Sequence, residues 1–141
     1  MSFLLDTNIV SEWVRDRPDP GVVAWLSEIN EDEVFLSVVT FAELRHGIVR
    51  MPSGRRKERL RRWLAEDLPD RFEDRVLAID RDVVRAWGEV VAARQASGKP
   101  IGAMDAFIAA TACVHGLELV TRNTGDFEGS VRAMLNPWRR P

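Results

Sequence analysis

Cysteine is nearly absent from this 141-residue chain, with Cys113 standing alone. One thiol excludes an internal disulfide framework and a zinc site built from cysteines. Histidine is scarce as well, with only His46 and His115. No run reaches the roughly 18 uncharged apolar residues of a membrane span. The nearest approach, residues 106–120, is interrupted by His115, Gly116 and Glu118. The apolar start Phe3-Leu4-Leu5 is shorter than the about 7–15 residues of a signal-peptide core. These absences predict a cytoplasmic protein without membrane contact, in a reducing compartment.

What is present is an ordinary globular composition, 45% hydrophobic and 30% charged. It excludes disordered, collagen-like and coiled-coil classes. The length predicts one domain over 1–141 with a core of its own. The net charge of −2 conceals an asymmetry. Between Arg45 and Arg62, eight basic residues face one acid, Glu58, while the remaining chain carries 12 basic and 21 acidic residues. An acidic body with one basic arm fits contact with a polyanion on one side. A solvated helix face is the plainer account of the same run.

Short apolar runs alternate with helical periodicity. Phe3–Leu5, Val34–Leu36, Val76–Ile79, Leu117–Thr121 and Val131–Leu135 read as strands. Thr7 or Asn8 would cap the first helix. Asp19-Pro20 starts a second helix, whose apolar face is Val22, Val23, Leu26 and Ile29. Thr40 would cap a third, running to about Met51. A fourth runs from Ser53 to about Leu68, one capped by Asp80 runs to about Ser97, and one runs from Ala103 to His115. Gly116 then fits a left-handed helix end. Cys113 reads as a small core residue. Strands separated by helices imply an α/β fold with a central parallel sheet covered on both faces.

On this map four acids fall on one edge. Asp6 ends the first strand, Glu43 and Asp105 lie in first turns of helices, and Asp126 follows the fourth strand. Helix N-termini and strand C-termini share the edge where open α/β sheets bind ligands. Thr40-Phe41-Ala42-Glu43 also fits a capping box, and Asp105 also suits a helix dipole. Asp6 is harder to dismiss, because a carboxylate ending a buried strand needs a partner. Crowded carboxylates need a cation, and no lysine adjoins them in sequence. Oxygen-only ligands favour Mg²⁺ or Mn²⁺. Such ions support phosphodiester chemistry.

The motifs Phe3-Leu4-Leu5-Asp6-Thr7-Asn8, Ser37–Leu44, Asp105–Ala112 and Leu119-Val120-Thr121-Arg122-Asn123, followed by Asp126-Phe127, resemble the PIN-domain family. The closing Leu135-Asn136-Pro137-Trp138 is similar to the FitB-type branch of the VapC toxins. The resemblance implies a three-layer α/β/α domain and Mg²⁺- or Mn²⁺-dependent endoribonuclease activity. It implies that Asp6, Glu43 and Asp105 bind metal and act in catalysis, with Asp126 as a fourth acid of more variable role. Thr7, Asn8, Thr121 and Asn123 become the polar groups that orient these carboxylates. It also implies a cognate antitoxin, a homodimer within a larger toxin–antitoxin complex, and operator DNA bound only through the antitoxin. Water activated by the metal would leave 5′-phosphate and 3′-hydroxyl ends, with no histidine required. Arg55, Arg56, Lys57, Arg59 and Arg62 would then meet either RNA phosphates or acidic residues of the antitoxin. The competing reading is a metal-stabilised, non-catalytic subunit of an antitoxin–operator DNA complex. A haloacid-dehalogenase-type phosphatase is disfavoured, since position 8 holds Asn8 rather than a second aspartate.

Overall fold

The computed structural model describes residues 1–139. Five parallel strands form its sheet: β1 (Phe3–Leu5), β2 (Val34–Ser37), β3 (Val76–Leu77), β4 (Glu118–Val120) and β5 (Met134–Leu135). Their order is β3-β2-β1-β4-β5. Phe3 pairs with Val34 on one side and with Glu118 on the other, so β1 is central. The chain builds outward from β1 through β2 and β3, then crosses back to β4. That reversal makes a crevice at the carboxyl edge between β1 and β4.

The strand alternation sorts the core into two layers. Phe3 and Leu5 join Ile9, Val10, Trp25, Leu36, Leu68 and Phe72 on one face. Leu4 joins Ile108, Ala109, Ala112, Leu119 and Phe127 on the other. The helices are α1 (Thr7–Trp13), α2 (Pro20–Glu28), α3 (Val38–Val49), α4 (Arg55–Arg62), α5 (Leu68–Phe72), α6 (Arg81–Ala96), α7 (Ala103–His115) and α8 (Thr124–Phe127). The small residues Ala106, Ala109, Ala110 and Ala112 of α7 are all buried. Gly116 closes α7 at φ 64°, ψ 37°, the left-handed end its sequence position implies.

Several local expectations change. Asp6, not Thr7 or Asn8, caps α1, because its extended backbone lets Oδ1 accept the Thr7 amide at 2.8 Å. The Thr7 and Asn8 side chains are thereby released for other contacts. Ser37 caps α3 through the Val39 amide at 3.1 Å, so Thr40 lies inside the helix and Glu43 is not in a capping box. The predicted 53–68 helix is broken by π-helical turns at Trp63–Asp67. Pro69 has no N–H, and its ring crowds the carbonyl four residues back. The chain widens instead, and the Leu68 amide bonds to the Trp63 carbonyl. On α2, Val23 faces solvent and Trp25 takes the core position, edge-on to Phe3 at 5.2 Å. β3 keeps only Val76–Leu77, where its pairing with Leu36–Ser37 ends. Cys113 is exposed rather than core, with Sγ 3.2 Å from the Ser130 carbonyl, and its partial burial pushes the thiol pKa up.

Candidate metal centre and active-site pocket

Three elements deliver three carboxylates to the crevice. Asp6 follows β1 directly, Glu43 projects from the second turn of α3, and Asp105 from the first turn of α7. All three line one open pocket of about 400 Å³, together with Arg15, Arg122 and Trp138. Asp6 is held hardest. Its Oδ2 accepts the Thr121 hydroxyl at 2.8 Å, and Asn8 Nδ2 stands 3.4 Å away. Thr121 is fully buried and itself accepts the Asn123 amide at 3.0 Å. The Asn8 carboxamide accepts the Arg122 amide at 3.3 Å, which ties the start of α1 to the end of β4. The Thr7 hydroxyl donates to Glu43 Oε1 at 2.5 Å, with the Thr40 hydroxyl 3.1 Å from it.

Burial pushes the Asp6 carboxyl from 3.8 up to about 6; Thr121 and the Thr7 amide oppose the rise, while Asp105 and Glu43 add to it. Burial also raises Asp105, with Glu43 and Asp126 adding to it and Arg94 opposing. No described lysine, arginine or histidine forms an ion pair with any of these four acids. The set is therefore a cluster of carboxylate oxygens that no described cation pairs with directly, Arg94 acting on Asp105 only at a distance. Among the described residues, no three His, Cys, Asp or Glu side chains are gathered tightly enough to cage an ion by themselves. Such an open set suits Mg²⁺, which keeps several waters and takes only one or two carboxylates. It suits an ion requiring a complete protein cage less well.

Asp126 stands apart from this trio. It is exposed on α8 and does not line the pocket, although its charge reaches Asp105. Arg94 holds its segment, donating from Nη1 to the Asp126 carbonyl at 2.8 Å and from Nε to the Lys99 carbonyl at 2.7 Å. The basic arm lies elsewhere. Arg55, Arg59 and Arg62 line a separate groove of about 600 Å³ with Val14, Leu60 and Trp63. Arg56 pairs with Asp16, and Lys57 Nζ donates to the Val49 carbonyl. None of the five basic candidates lines the carboxylate pocket.

Sequence reading missed Ser11, Glu12, Arg15, Arg122 and Trp138 as pocket residues. Glu12 is buried, accepts the Asp19 amide at 2.8 Å, and takes a hydrogen bond from Arg15 at 3.2 Å. A signal existed for Arg122, which sits between Thr121 and Asn123 in a motif already singled out. The i, i+3 spacing of Glu12 and Arg15 was a weaker one.

Residues 3–128 match the PIN domain family. Toxin FitB of Neisseria gonorrhoeae is 39% identical over 135 residues, covering 96% of this chain and 97% of its own. VapC ribonuclease Y4jK of Sinorhizobium fredii is 38% identical over 135 residues, with 96% of each chain covered. In a solved structure of FitAB bound to the IR36 DNA fragment, one chain superposes with a TM-score of 0.92 at 36% identity, over 99% of this chain and 97% of that one. By sequence, topology and the edge on which its acids gather, this chain belongs to the PIN-domain family, in the branch that holds VapC and FitB.

Proposed function

We propose that this chain is a Mg²⁺- or Mn²⁺-dependent endoribonuclease, and the toxin of a toxin–antitoxin pair. The observation that carries this reading is the buried Asp6 carboxylate, which shares one open pocket with Glu43 and Asp105 and forms no ion pair among the described residues. The names of its relatives, a VapC ribonuclease and a toxin, support it independently. Asp6, Glu43 and Asp105 offer the carboxylates, some binding the ion directly and the rest through its waters, and Asp126, outside the pocket, would serve a second ion. Bound metal would supply charge neutralisation at phosphate and an activated water. The protein's own groups do the remaining work. Thr121 and Asn8 fix the plane of the Asp6 carboxylate, and Thr7 fixes Glu43. Positioning of this kind sets ligand basicity and orientation. The open mouth admits a polynucleotide strand rather than enclosing a small metabolite. Hydrolysis by water at this site leaves 5′-phosphate and 3′-hydroxyl ends.

The groove beside α4 is assigned to the antitoxin. Its apolar Val14, Leu60 and Trp63, together with Arg55, Arg59 and Arg62 and the acids Glu58 and Asp67, suit an amphipathic protein segment of mixed, mainly acidic charge. Cytoplasmic location follows from the toxin role, because its substrate and antitoxin are made there.

The test is cleavage of total cellular RNA by antitoxin-free protein with Mg²⁺, with Mn²⁺, with chelator, and as Asp105→Asn. Discrete fragments with 5′-phosphate ends that need metal and vanish in the variant are expected. Cyclic 2′,3′-phosphate ends would contradict attack by water. Intact RNA from folded, metal-loaded protein would favour a regulatory subunit whose acids only bind metal.

A further inference from the structure

The carboxylate pocket carries two arginines and a tryptophan that the hydrolytic reading leaves unused. Arg122 lies over the Trp138 ring, with its guanidinium carbon 5.3 Å from the ring centroid. Trp138 is half-buried and lines the pocket beside Asp6 and Asp105. The stack is built rather than incidental. Asn136 Oδ1 accepts the Trp138 amide at 3.0 Å, and its Nδ2 donates to the Arg122 carbonyl at 3.3 Å. One side chain thus fixes the backbone of both partners. Pro137 is buried, and its carbonyl sits where Gly21 leaves room, 2.4 Å from where a side chain's first carbon would stand.

The charge of Arg122 is unspent. No carboxylate pairs with it among the described residues, and its guanidinium makes no hydrogen bond there. Arg122 is exposed and lines the pocket. Arg15 is the other pocket arginine; its side chain is 62% exposed and only one of its donors is engaged, by Glu12. A planar cation fixed on an indole next to an anionic centre is poorly explained by stability. Arg122 pairs with none of the described acids and lies on Trp138 instead. Planar arginines and tryptophans are the groups on which unstacked bases lie, and arginine also grips phosphate.

We propose that Arg122 and Trp138 form a nucleotide subsite beside the carboxylates, taking one single-stranded RNA base on the stacked pair and the adjoining phosphate on Arg122 and Arg15. This rests on the ribonuclease reading and adds where the strand is held. The site then has two parts: an anionic centre that holds metal, and a cationic, aromatic shelf that holds the strand in register with it. Because stacking accepts any base, the shelf selects for single-stranded character more than for sequence.

The experiment is fluorescence anisotropy of a short labelled single-stranded RNA with the full chain bearing Asp105→Asn, in Mg²⁺, over a range of salt. Parallel cleavage by the chain with Asp105 intact reports on the ribonuclease reading separately. In the Asp105→Asn background, Arg122→Gln is expected to weaken binding about 5- to 100-fold, as loss of one base stack predicts, and to flatten the salt dependence by about one phosphate contact. Arg122→Lys keeps the charge and loses the plane, so it should restore the salt slope but not the full affinity. Trp138→Phe keeps the packing and a smaller ring, and should bind between the parent and Arg122→Gln. Arg15→Gln should weaken binding modestly and lower the salt slope by about one, without the loss of base stacking that Arg122→Gln brings. If folded Arg122→Gln and Trp138→Phe bind as the parent does while the unsubstituted chain cleaves RNA, the subsite is wrong and the nuclease stands. If neither cleavage nor RNA binding is seen in the parent chains, both fall together. A duplex of the same sequence bound as tightly as the single strand would also overturn the shelf.

Discussion

At the scale of single residues, Asp6 carries an energetic conflict. It is 5% exposed, and its carboxyl is pushed up to about 6 by burial. An unfolded chain releases that proton near 3.8. Between these values the folded form binds the proton more tightly, so stability from this group is full below about pH 4 and falls as pH rises through about 6. Above that, the lone buried charge costs on the order of 3 kcal/mol until a cation arrives. In chelator at pH 7.5, Asp6→Asn should therefore melt several degrees above the parent, since Asn also caps a helix well. The gap should close near pH 4, and Mg²⁺ should raise the Tm of the parent alone. A gap of equal size at both pH values would remove burial of charge as its cause. Thr121→Val tests the neighbour that orients Asp6. It keeps the shape and deletes the hydroxyl at 2.8 Å. Mn²⁺ affinity, read by titration, should fall about 10–100-fold; unchanged affinity would mean that the hydroxyl only satisfies a buried strand end.

At the scale of elements, the site depends on where helices begin. Ser37 starts α3 three residues before the position its Thr-x-x-Glu pattern suggests. Glu43 consequently lies one turn deeper and meets Thr7 rather than the Thr40 amide. The contact between α2 and the C-terminal turn offers a second test. A side chain at Gly21 would strike the Pro137 carbonyl at 2.4 Å, and that atom is backbone. Gly21→Ala should thus lift the turn bearing Trp138 off α2. We expect a loss of about 1–3 kcal/mol, the usual range for overpacking, together with faster amide exchange at Trp138 and Arg139. Unaltered exchange there would show that the turn relaxes without displacing the tryptophan. The widened turn at Trp63–Asp67 matters similarly, because it keeps Leu64 and Leu68 buried while α4 presents its arginines outward.

At the scale of the whole molecule, the carboxylates and the basic arm serve two different sites. The carboxylate pocket and the basic groove beside α4 are lined by different residues. Replacing Arg55, Arg59 and Arg62 together by glutamate should weaken antitoxin binding at least 10-fold, with RNA cleavage staying within about 2-fold, because rim charges act mainly on their own partner. Equal losses in both assays would instead make the basic arm part of the RNA path. Its outer positions add little fold stability, since the Arg61–Glu58 and Arg56–Asp16 pairs are solvent-exposed.

The α/β alternation, the left-handed end of α7, the Asp19 and Asp80 caps and the family were all legible in the order of residues. These depend on local patterns: short continuous apolar runs, Gly116 after a helix, and short motifs whose acids lie next to strand ends. That order also marked Asp6, Glu43 and Asp105, because a strand's carboxyl edge and a helix's first turns meet in any parallel sheet. Packing of the elements places Asp126 outside the pocket, turns the basic arm to a different groove and leaves Cys113 exposed. It alone brought Arg122 onto Trp138 at the mouth of the site. The physical reason is distance along the chain: residues 16 positions apart meet only because β4 and β5 pair and the following turn docks on α2. Periodicity describes how a side chain sits on its own element, whereas the packing of elements fixes what that side chain meets.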